Sequence, residues 1–578
     1  MTIAVNYEKR KNQELFRDLE KIGFLKTQNY IPLYRNFFIL NENNYSAVNL
    51  NHFHYIDGIK KPFTDNLYLC NIKSKIAKPS QERVFFKFAP LLDPVKYMIG
   101  KYTYDDKLMT LPTIHSTTEH TTAKFLDPNN CSYVDGFFSY LSNQLMSSNK
   151  FVHGIRYYGS YLTVKKDFKF NVYDDLEYLI KSDFFNKNKN KLFHVDNYSD
   201  LFDDDTSRAE LPAIKIHQED VGDALNIGSV DESMFGDVFT EEADTTDLVE
   251  DNILPLTLEN MEEHDVSKEG DVETTSVTKS NDSCSSRTSH TNSGVSDDDD
   301  ENSVVSYTDD ENESDGDESS DSSEDEEEIV NATFPEFPVQ LICMEACIDT
   351  LDQLILDDKL DEKRWLSALM QIIMTLIAYQ KVFSFTHNDL HTNNVMYVST
   401  KKKYLYYCVK GTYYRVPTYG KIFKIIDFGR AIYKYDGKTM CSDSFGPTGD
   451  AATQYNIEPY YNPKKPRLDP NYSFDLCRLA CSIFDYLVDD MSDVKDLSKV
   501  DAITRIIVEW CIDDNGINVL YKNNGTDRYP DFKLYKMISR CVHNHTPHAQ
   551  LERSEFKSFG VSKETIPNTE PIMNIDDM

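Results

Sequence analysis

The chain has 578 residues, with 61 Lys and Arg against 96 Asp and Glu and a formal net charge of −35. That charge disfavours nucleic acid as a partner of the whole chain, because phosphates repel it. An apolar content of 40% suits a packed core rather than a polytopic membrane protein. The charge is also unevenly placed: residues 201–330 hold 42 acidic and 5 basic side chains, which leaves the other 448 residues at +2.

The start, MTIAVNYEKRKNQELF, has no apolar run of the signal-peptide kind, and residues 1–28 read as an N-terminal extension. Residues 29–195 are rich in Tyr, Phe, Asn and Lys. Segments 66–72, 83–88 and 157–164 combine aromatic and β-branched residues between turn signals and predict strands. Segment 133–146 has Phe137, Phe138, Leu141 and Leu145 at helical spacing. In 196–330, Ser, Thr, Asp and Glu dominate. Too little apolar surface is present to offset the ordering entropy, so a disordered acidic insertion is expected there. Ser314, Ser319, Ser320, Ser322 and Ser323 lie among acids, a pattern that acidophilic kinases phosphorylate.

Order is predicted to return near residue 334, with a buried strand at 339–344 and a long apolar helix over 363–380. The apolar run within that helix is too short to span a bilayer, so no membrane association is expected. Residues 403–415 alternate around Gly411 and predict a hairpin. Helical patterns recur at 474–487, 500–511 and 532–542, and 561–578 reads as a loose tail. The eleven cysteines contain no CxxC pair. They are read as thiols of a reducing, intracellular compartment, the cytoplasm.

The most informative stretch is His387-Asn388-Asp389-Leu390-His391-Thr392-Asn393-Asn394. It matches a catalytic loop in which an Asp meets an attacking hydroxyl and an Asn five residues later ligates Mg²⁺. A run ending in Asp427-Phe428-Gly429 follows, as in the metal-binding motif of the same enzymes. With these motifs in this order after a long apolar helix, the chain resembles the protein kinase superfamily. The resemblance spans most of 50–195 and 331–560.

The resemblance implies an α+β, two-lobed fold: a small antiparallel-sheet lobe (29–195 and 331–347, the latter ending in the hinge), a larger helical lobe (348–560), and the acidic insertion (196–330) within the small lobe. It implies ATP and Mg²⁺ as cofactors and a protein hydroxyl as acceptor, serine or threonine rather than a small molecule. By residue, it makes Asp389 the base, with His391 beside it at the γ-phosphate, and Asn394 and Asp427 the metal ligands. Lys87, in Val84-Phe85-Phe86-Lys87, becomes the phosphate-binding lysine. Met344 lines the adenine pocket, and backbone groups of Glu345 and Cys347 bond the base. His387, Phe428, Gly429 and Asp475 take structural roles. Asp349 either reaches the ribose or, as favoured here, caps the following helix.

The chain departs from the family pattern in four places. No GxGxxG precedes Lys87, so another loop, around 55–62, must cover the phosphates. The helix glutamate that pairs with the lysine is not evident, and Asp135 is the nearest candidate. Ile457-Glu458-Pro459 is only an echo of Ala-Pro-Glu. His391 stands where Lys is usual, which together with the 403–415 hairpin is similar to haspin-type kinases. Asp389-Leu390-His391 is also similar to aminoglycoside- and choline-type kinases. The missing glycine loop admits a pseudokinase scaffold that recruits basic partners through its acidic insertion. Low Gly with abundant Asn, Lys and Tyr is similar to proteins of large DNA viruses.

Overall fold

The computed structural model describes residues 3–198 and 329–578. The insertion expected to be disordered, apart from its edges, lies outside the described residues. The fold is mixed α/β, with mostly antiparallel sheets.

The largest sheet is a curled half-barrel. Its strands are β1 (Phe24–Gln28), β2 (His54–Pro62), β3 (Leu67–Ser74), β4 (Ser80–Pro90), β5 (Tyr157–Asn171) and β6 (Asn331–Glu345). Their order is β1-β5-β6-β4-β3-β2, and a short strand at His194–Val195 pairs with β6. Every pairing in this sheet is antiparallel. Asn171, at the end of β5, lies opposite Asn331, at the start of β6. The long intervening chain therefore leaves and re-enters the sheet on neighbouring strands. Such a loop lengthens cheaply, at about 0.6 kcal/mol per doubling.

Strand alternation decides which side chains share a face. Lys87 lies opposite Ile342 and Phe85 opposite Met344, which sets these residues on one face. Val84, Phe86, Leu341 and Cys343 occupy the other, where helix α1 (Gln13–Lys21) buries Leu15 and Leu19 against them. Residues 13–28, read as an extension, are thus part of the sheet and its cover. The signal for this is short, one pair of leucines four apart and a five-residue strand.

Helix α2 (Cys131–Asn149) crosses the first face, started by the Asn130 side chain, which accepts the Ser132 N–H at 3.0 Å. Helix α3 (Glu362–Phe383) starts at Asp361, whose carboxylate accepts the Arg364 N–H at 2.8 Å. It is the one helix among the described residues long and apolar enough to cross a membrane, and 83% of that apolar window is buried inside the protein. Next come strands β7 (Val395–Ser399), β8 (Tyr404–Val409), β9 (Thr412–Pro417) and β10 (Lys421–Ile425). β8 and β9 form the expected hairpin, with Lys410 and Gly411 at φ of 49° and 72°. Helices α4 (Phe474–Ile483), α5 (Ala502–Trp510) and α6 (Lys533–Cys541) complete this part.

The C-terminal residues are not a loose tail. Ile572–Asn574 runs parallel to β8, with Met573 and Ile575 buried. Asp576 accepts the N–H groups of Lys410 and Gly411 at 2.7 and 2.8 Å, which satisfies the hairpin turn. The ten described cysteines are free thiols.

Candidate active site

Residues far apart in sequence meet where β7 and β10 pair. Val395, directly after Asn394, lies opposite Ile425, two residues before Asp427, and the Ile426 N–H donates to the Asn394 carbonyl at 3.0 Å. The two motifs therefore share one antiparallel ladder, and their polar side chains project from its end.

The Asp389 loop is held from below. Asp475 of α4 is fully buried, and its carboxylate accepts the N–H groups of His387, at 2.9 and 3.1 Å, and Asn388, at 2.9 Å. His387 receives the Asp389 N–H on Nδ1 at 3.3 Å, so the proton is on Nε2, which donates to the Ile426 carbonyl at 2.9 Å. Asn388 sits at a φ of 64°, and its Oδ1 accepts the Tyr455 hydroxyl at 2.7 Å. These bonds fix the Asp389 backbone, and its carboxylate is left partly exposed.

That carboxylate is surrounded by donors. Tyr535 of α6 donates its hydroxyl at 2.9 Å, and Arg430 Nε lies at 3.9 Å. Arg478 Nε donates to the same Tyr535 oxygen at 2.9 Å. Burial pushes the Asp389 carboxyl up, but Arg430, His391, Arg478 and Tyr535 outweigh it and hold it down at about 2. Asn394 Nδ2 donates both to the Asp389 carbonyl at 2.9 Å and to His391 Nε2 at 3.0 Å. His391 Nε2 is then an acceptor, and the ring is neutral. Burial pushes its pKa down to about 4, which excludes the imidazolium form at neutral pH. Asn394 Oδ1, without a hydrogen bond among the described residues, is the atom left for a cation.

With pKa values of about 2 and about 4, neither group titrates near neutrality. The proposed transfer is expected to show no step from either in kcat/KM for Mg²⁺-ATP, which reports the free enzyme's groups, between pH 5.5 and 8. A limb near pH 6–7 that vanished in His391→Gln would contradict this protonation assignment.

Lys87 Nζ lies 2.6 Å from Asp135 Oδ2 and 2.8 Å from Asp427 Oδ1. Asp135 is 2% exposed and Asp427 46%, so the lysine bridges a buried carboxylate and an open one. Burial alone would lower the lysine's pKa, but the two carboxylates raise it. Partial desolvation pushes Asp427 up, yet Lys87 dominates and holds it below its ordinary value. Asp135 also accepts the Phe428 N–H at 3.1 Å. Removing one partner of such a buried pair costs about 3–5 kcal/mol.

An aspartate side chain is one methylene shorter than a glutamate, so α2 must lie close to the sheet, and Gly136 permits this. A Cβ built there would stand 2.0 Å from Gln340 Nε2 and 3.3 Å from Ser160 Oγ. Gln340 is itself buried. Gly136→Ala is expected to cost about 1–3 kcal/mol of stability and to raise the KM for ATP as Asp135 moves off Lys87. Adding Gln340→Ala should restore both values. Urea unfolding and ATP titration of the single and double variants check this coupling.

Phe428 is buried beneath α2, with ring centroids 4.6 Å from Phe138, 6.0 Å from Phe385 and 5.8 Å from His387. This aromatic contact fixes Asp427, at a φ of 61°, on the Lys87 side, and Gly429 N–H returns to Asp427 Oδ1 at 3.3 Å. Met344 is buried on β6, on the Lys87 face. The Glu345 N–H is already donated to the Arg156 carbonyl at 2.9 Å, so only its carbonyl could meet a base. Its side chain is held by Lys424 Nζ at 2.5 Å and by the Arg156 N–H at 2.7 Å. Cys347 is half-buried beyond it, and burial pushes its thiol up to about 12.

Two expectations need correction. Residues 55–62 are strand β2 rather than a covering loop, and the β2–β3 turn falls at 63–66, beside the Lys87 strand. There Asn66 Nδ2 donates to the Phe86 carbonyl at 2.8 Å, and Thr64 Oγ1 accepts the Leu67 N–H at 3.0 Å. This turn is closed by side chains, with no glycine in it. Asp349 is also not the helix cap. It accepts the Thr350 N–H at 2.9 Å, and Thr350 caps the helix through Gln353 N–H at 3.0 Å.

The segment after Asp427 is anchored by carboxylates. Asp443 accepts the Cys131 N–H, at the start of α2, at 2.9 Å and pairs with Lys124 at 2.5 Å. Arg430 pairs with Asp450. Arg430, Lys424, Arg478 and Tyr535 were not singled out from sequence. Arg430 directly follows the glycine of its motif and Arg478 lies three residues after Asp475, but nothing local marks Tyr535, 146 residues from its partner.

Among the described residues no cluster of three or more His, Cys, Asp or Glu forms a protein cage for a metal. Asn394 Oδ1 and the open Asp427 carboxylate are two oxygen donors just beyond the ends of paired strands β7 and β10, which suits Mg²⁺, an ion that keeps waters and takes phosphate oxygens as its other ligands. No protein-family model matches the chain, and no curated protein matches it.

Proposed function

We propose that the protein is an ATP- and Mg²⁺-dependent protein kinase that transfers the γ-phosphate of ATP to a serine or threonine hydroxyl. The observation that carries this reading is the convergence of Lys87, Asp135 and Asp427 within 2.8 Å contacts beside the hydrogen-bonded Asp389–Asn394 loop. Lys87 supplies a fixed positive charge for the phosphates, with Asp135 holding its ammonium in place. Asn394 and Asp427 would hold Mg²⁺, which neutralises charge on the transferring group when bound. Asp389 receives the substrate hydroxyl. A carboxylate held at about 2 is too weak a base to ionise an alcohol in advance. Its task is to orient the hydroxyl and take the proton as the new O–P bond forms. Neutral His391 keeps the Asn394 amide turned so that its oxygen faces the metal position. The rest of the catalysis is positioning and electrostatics, as phosphoryl transfer requires.

The test is incorporation of labelled γ-phosphate from ATP into protein by the full-length chain. Incorporation that depends on Mg²⁺ and on Asp389 supports the reading. The same background with and without Asp389 defeats it and leaves the scaffold alternative.

A further inference from the structure

Helix α6 touches the candidate base on one side and carries, on another, a row of cations without an ion pair among the described residues. Tyr535 reaches Asp389, while Lys533, Lys536 and Arg540 follow at spacings of three and four, on one helical face. Arg540 donates to the Thr453 carbonyl at 3.1 Å and Ser539 to the Gln454 carbonyl at 3.3 Å, so the helix is tied to the segment that runs from Asp427 to Pro459. Lys536 Nζ lies 5.7 Å from the centroid of the Phe532 ring, and Arg430, which faces Asp389, lies 5.9 Å from the same centroid.

Lys464 and Lys465 lie on the neighbouring exposed loop. The acids on that loop are already engaged, because Arg467 pairs with both Glu458 and Asp469 at 2.9 Å. Among the described residues none of Lys464, Lys465, Lys533, Lys536 and Arg540 has an ion pair, and Lys536 is pushed below its ordinary pKa by burial, by Arg540 and by Lys465. Like charges at i, i+4 weaken a helix by a few tenths of a kcal/mol. Among the described residues no carboxylate pairs with these cations, and a bound anion would supply one. The chain itself supplies a matching polypeptide: residues 291–330 hold 18 acids and no Lys or Arg, with serines set among the acids.

We propose that the site takes acidic serine-containing peptides, with Lys465, Lys536 and Arg540 binding the carboxylates that flank the acceptor serine. The proposal rests on the kinase reading. In the step itself the serine Oγ bonds to the γ-phosphorus, the bond to the β–γ bridging oxygen breaks, ADP leaves, and the hydroxyl proton passes to Asp389.

The probes are a peptide of residues 311–328, the same peptide with every Asp and Glu replaced by Asn and Gln, and one with those positions replaced by Lys. Each is assayed with full-length protein and Mg²⁺-ATP. The acidic peptide is expected to exceed the neutral one in kcat/KM by about tenfold or more, as two or three charge-assisted contacts would give. In K465E/K536E/R540E that ratio should fall to one or invert in favour of the Lys peptide. A wild-type ratio near one, or a ratio the variant leaves intact, overturns the proposal. If no peptide is phosphorylated, the kinase reading fails separately, and fluorescence anisotropy of the labelled acidic peptide still decides the subsite. Binding lost in the variant keeps it, and equal binding removes it. Phosphate on Ser314–Ser323 of the full chain incubated with Mg²⁺-ATP alone would make its own tract a substrate. Its absence, with the peptide phosphorylated, assigns the site to acidic partners.

Discussion

Asp389→Asn is expected to slow phosphate transfer from ATP to protein by about 10²–10⁴-fold, with the protein folded and Mg²⁺-ATP still bound. The substitution keeps the shape of the side chain and an oxygen for the Tyr535 hydroxyl, which now donates at 2.9 Å. It removes the negative charge that orients the substrate hydroxyl and receives its proton. Arg430 keeps Asp450 as a partner, so the loss of charge does not strand it. The nucleotide contacts assigned to Lys87, Asn394 and Asp427 are not touched, so KM for ATP should change little while kcat falls. Single-turnover transfer measured beside ATP binding separates the two. Equal transfer by wild type and variant would place the base elsewhere.

The second large effect is expected at a residue that touches neither nucleotide nor acceptor. Asp475→Ala leaves the N–H groups of His387 and Asn388 buried without an acceptor. Each orphaned group costs about 1–3 kcal/mol, so stability should fall by about 2–6 kcal/mol. The loop that carries Asp389 loses its floor at the same time, and kcat should fall with stability. Asp475→Asn keeps one acceptor but turns an NH₂ toward the N–H pair, and is expected to be intermediate. Urea unfolding midpoints with kcat for both variants check the order. Wild-type stability in Asp475→Ala would mean that the loop is held by other contacts.

Much of the candidate site was legible because its parts are short and local. Asp389 and Asn394 are five residues apart on one loop, and Asp427, Phe428 and Gly429 close one strand. The 403–415 hairpin announced itself by alternation around Gly411. Asp135 was legible only as the nearest acid on the right helix. Its pairing depends on how close α2 approaches β6, and Gly136 decides that by what it lacks. The covering loop expected around 55–62 fell on a strand, and the neighbouring turn, closed by Asn66 and Thr64, leaves no glycine signature.

The sequence by itself determined that the charge belongs to residues 201–330 and not to the body, because charge is additive along a chain. It also marked the residues on which the proposed phosphoryl-transfer chemistry rests, since loop motifs hold their geometry over a handful of residues. Only the tertiary structure decided their protonation and partners. Asp389 is held near 2 by Arg430, Arg478 and Tyr535, and His391 is neutral through Asn394. Those groups come from four separate segments, and desolvation and Coulomb energy depend on distance in space rather than along the chain. The same holds for the C-terminal residues, which were read as a tail because their partner strand is more than 160 residues away.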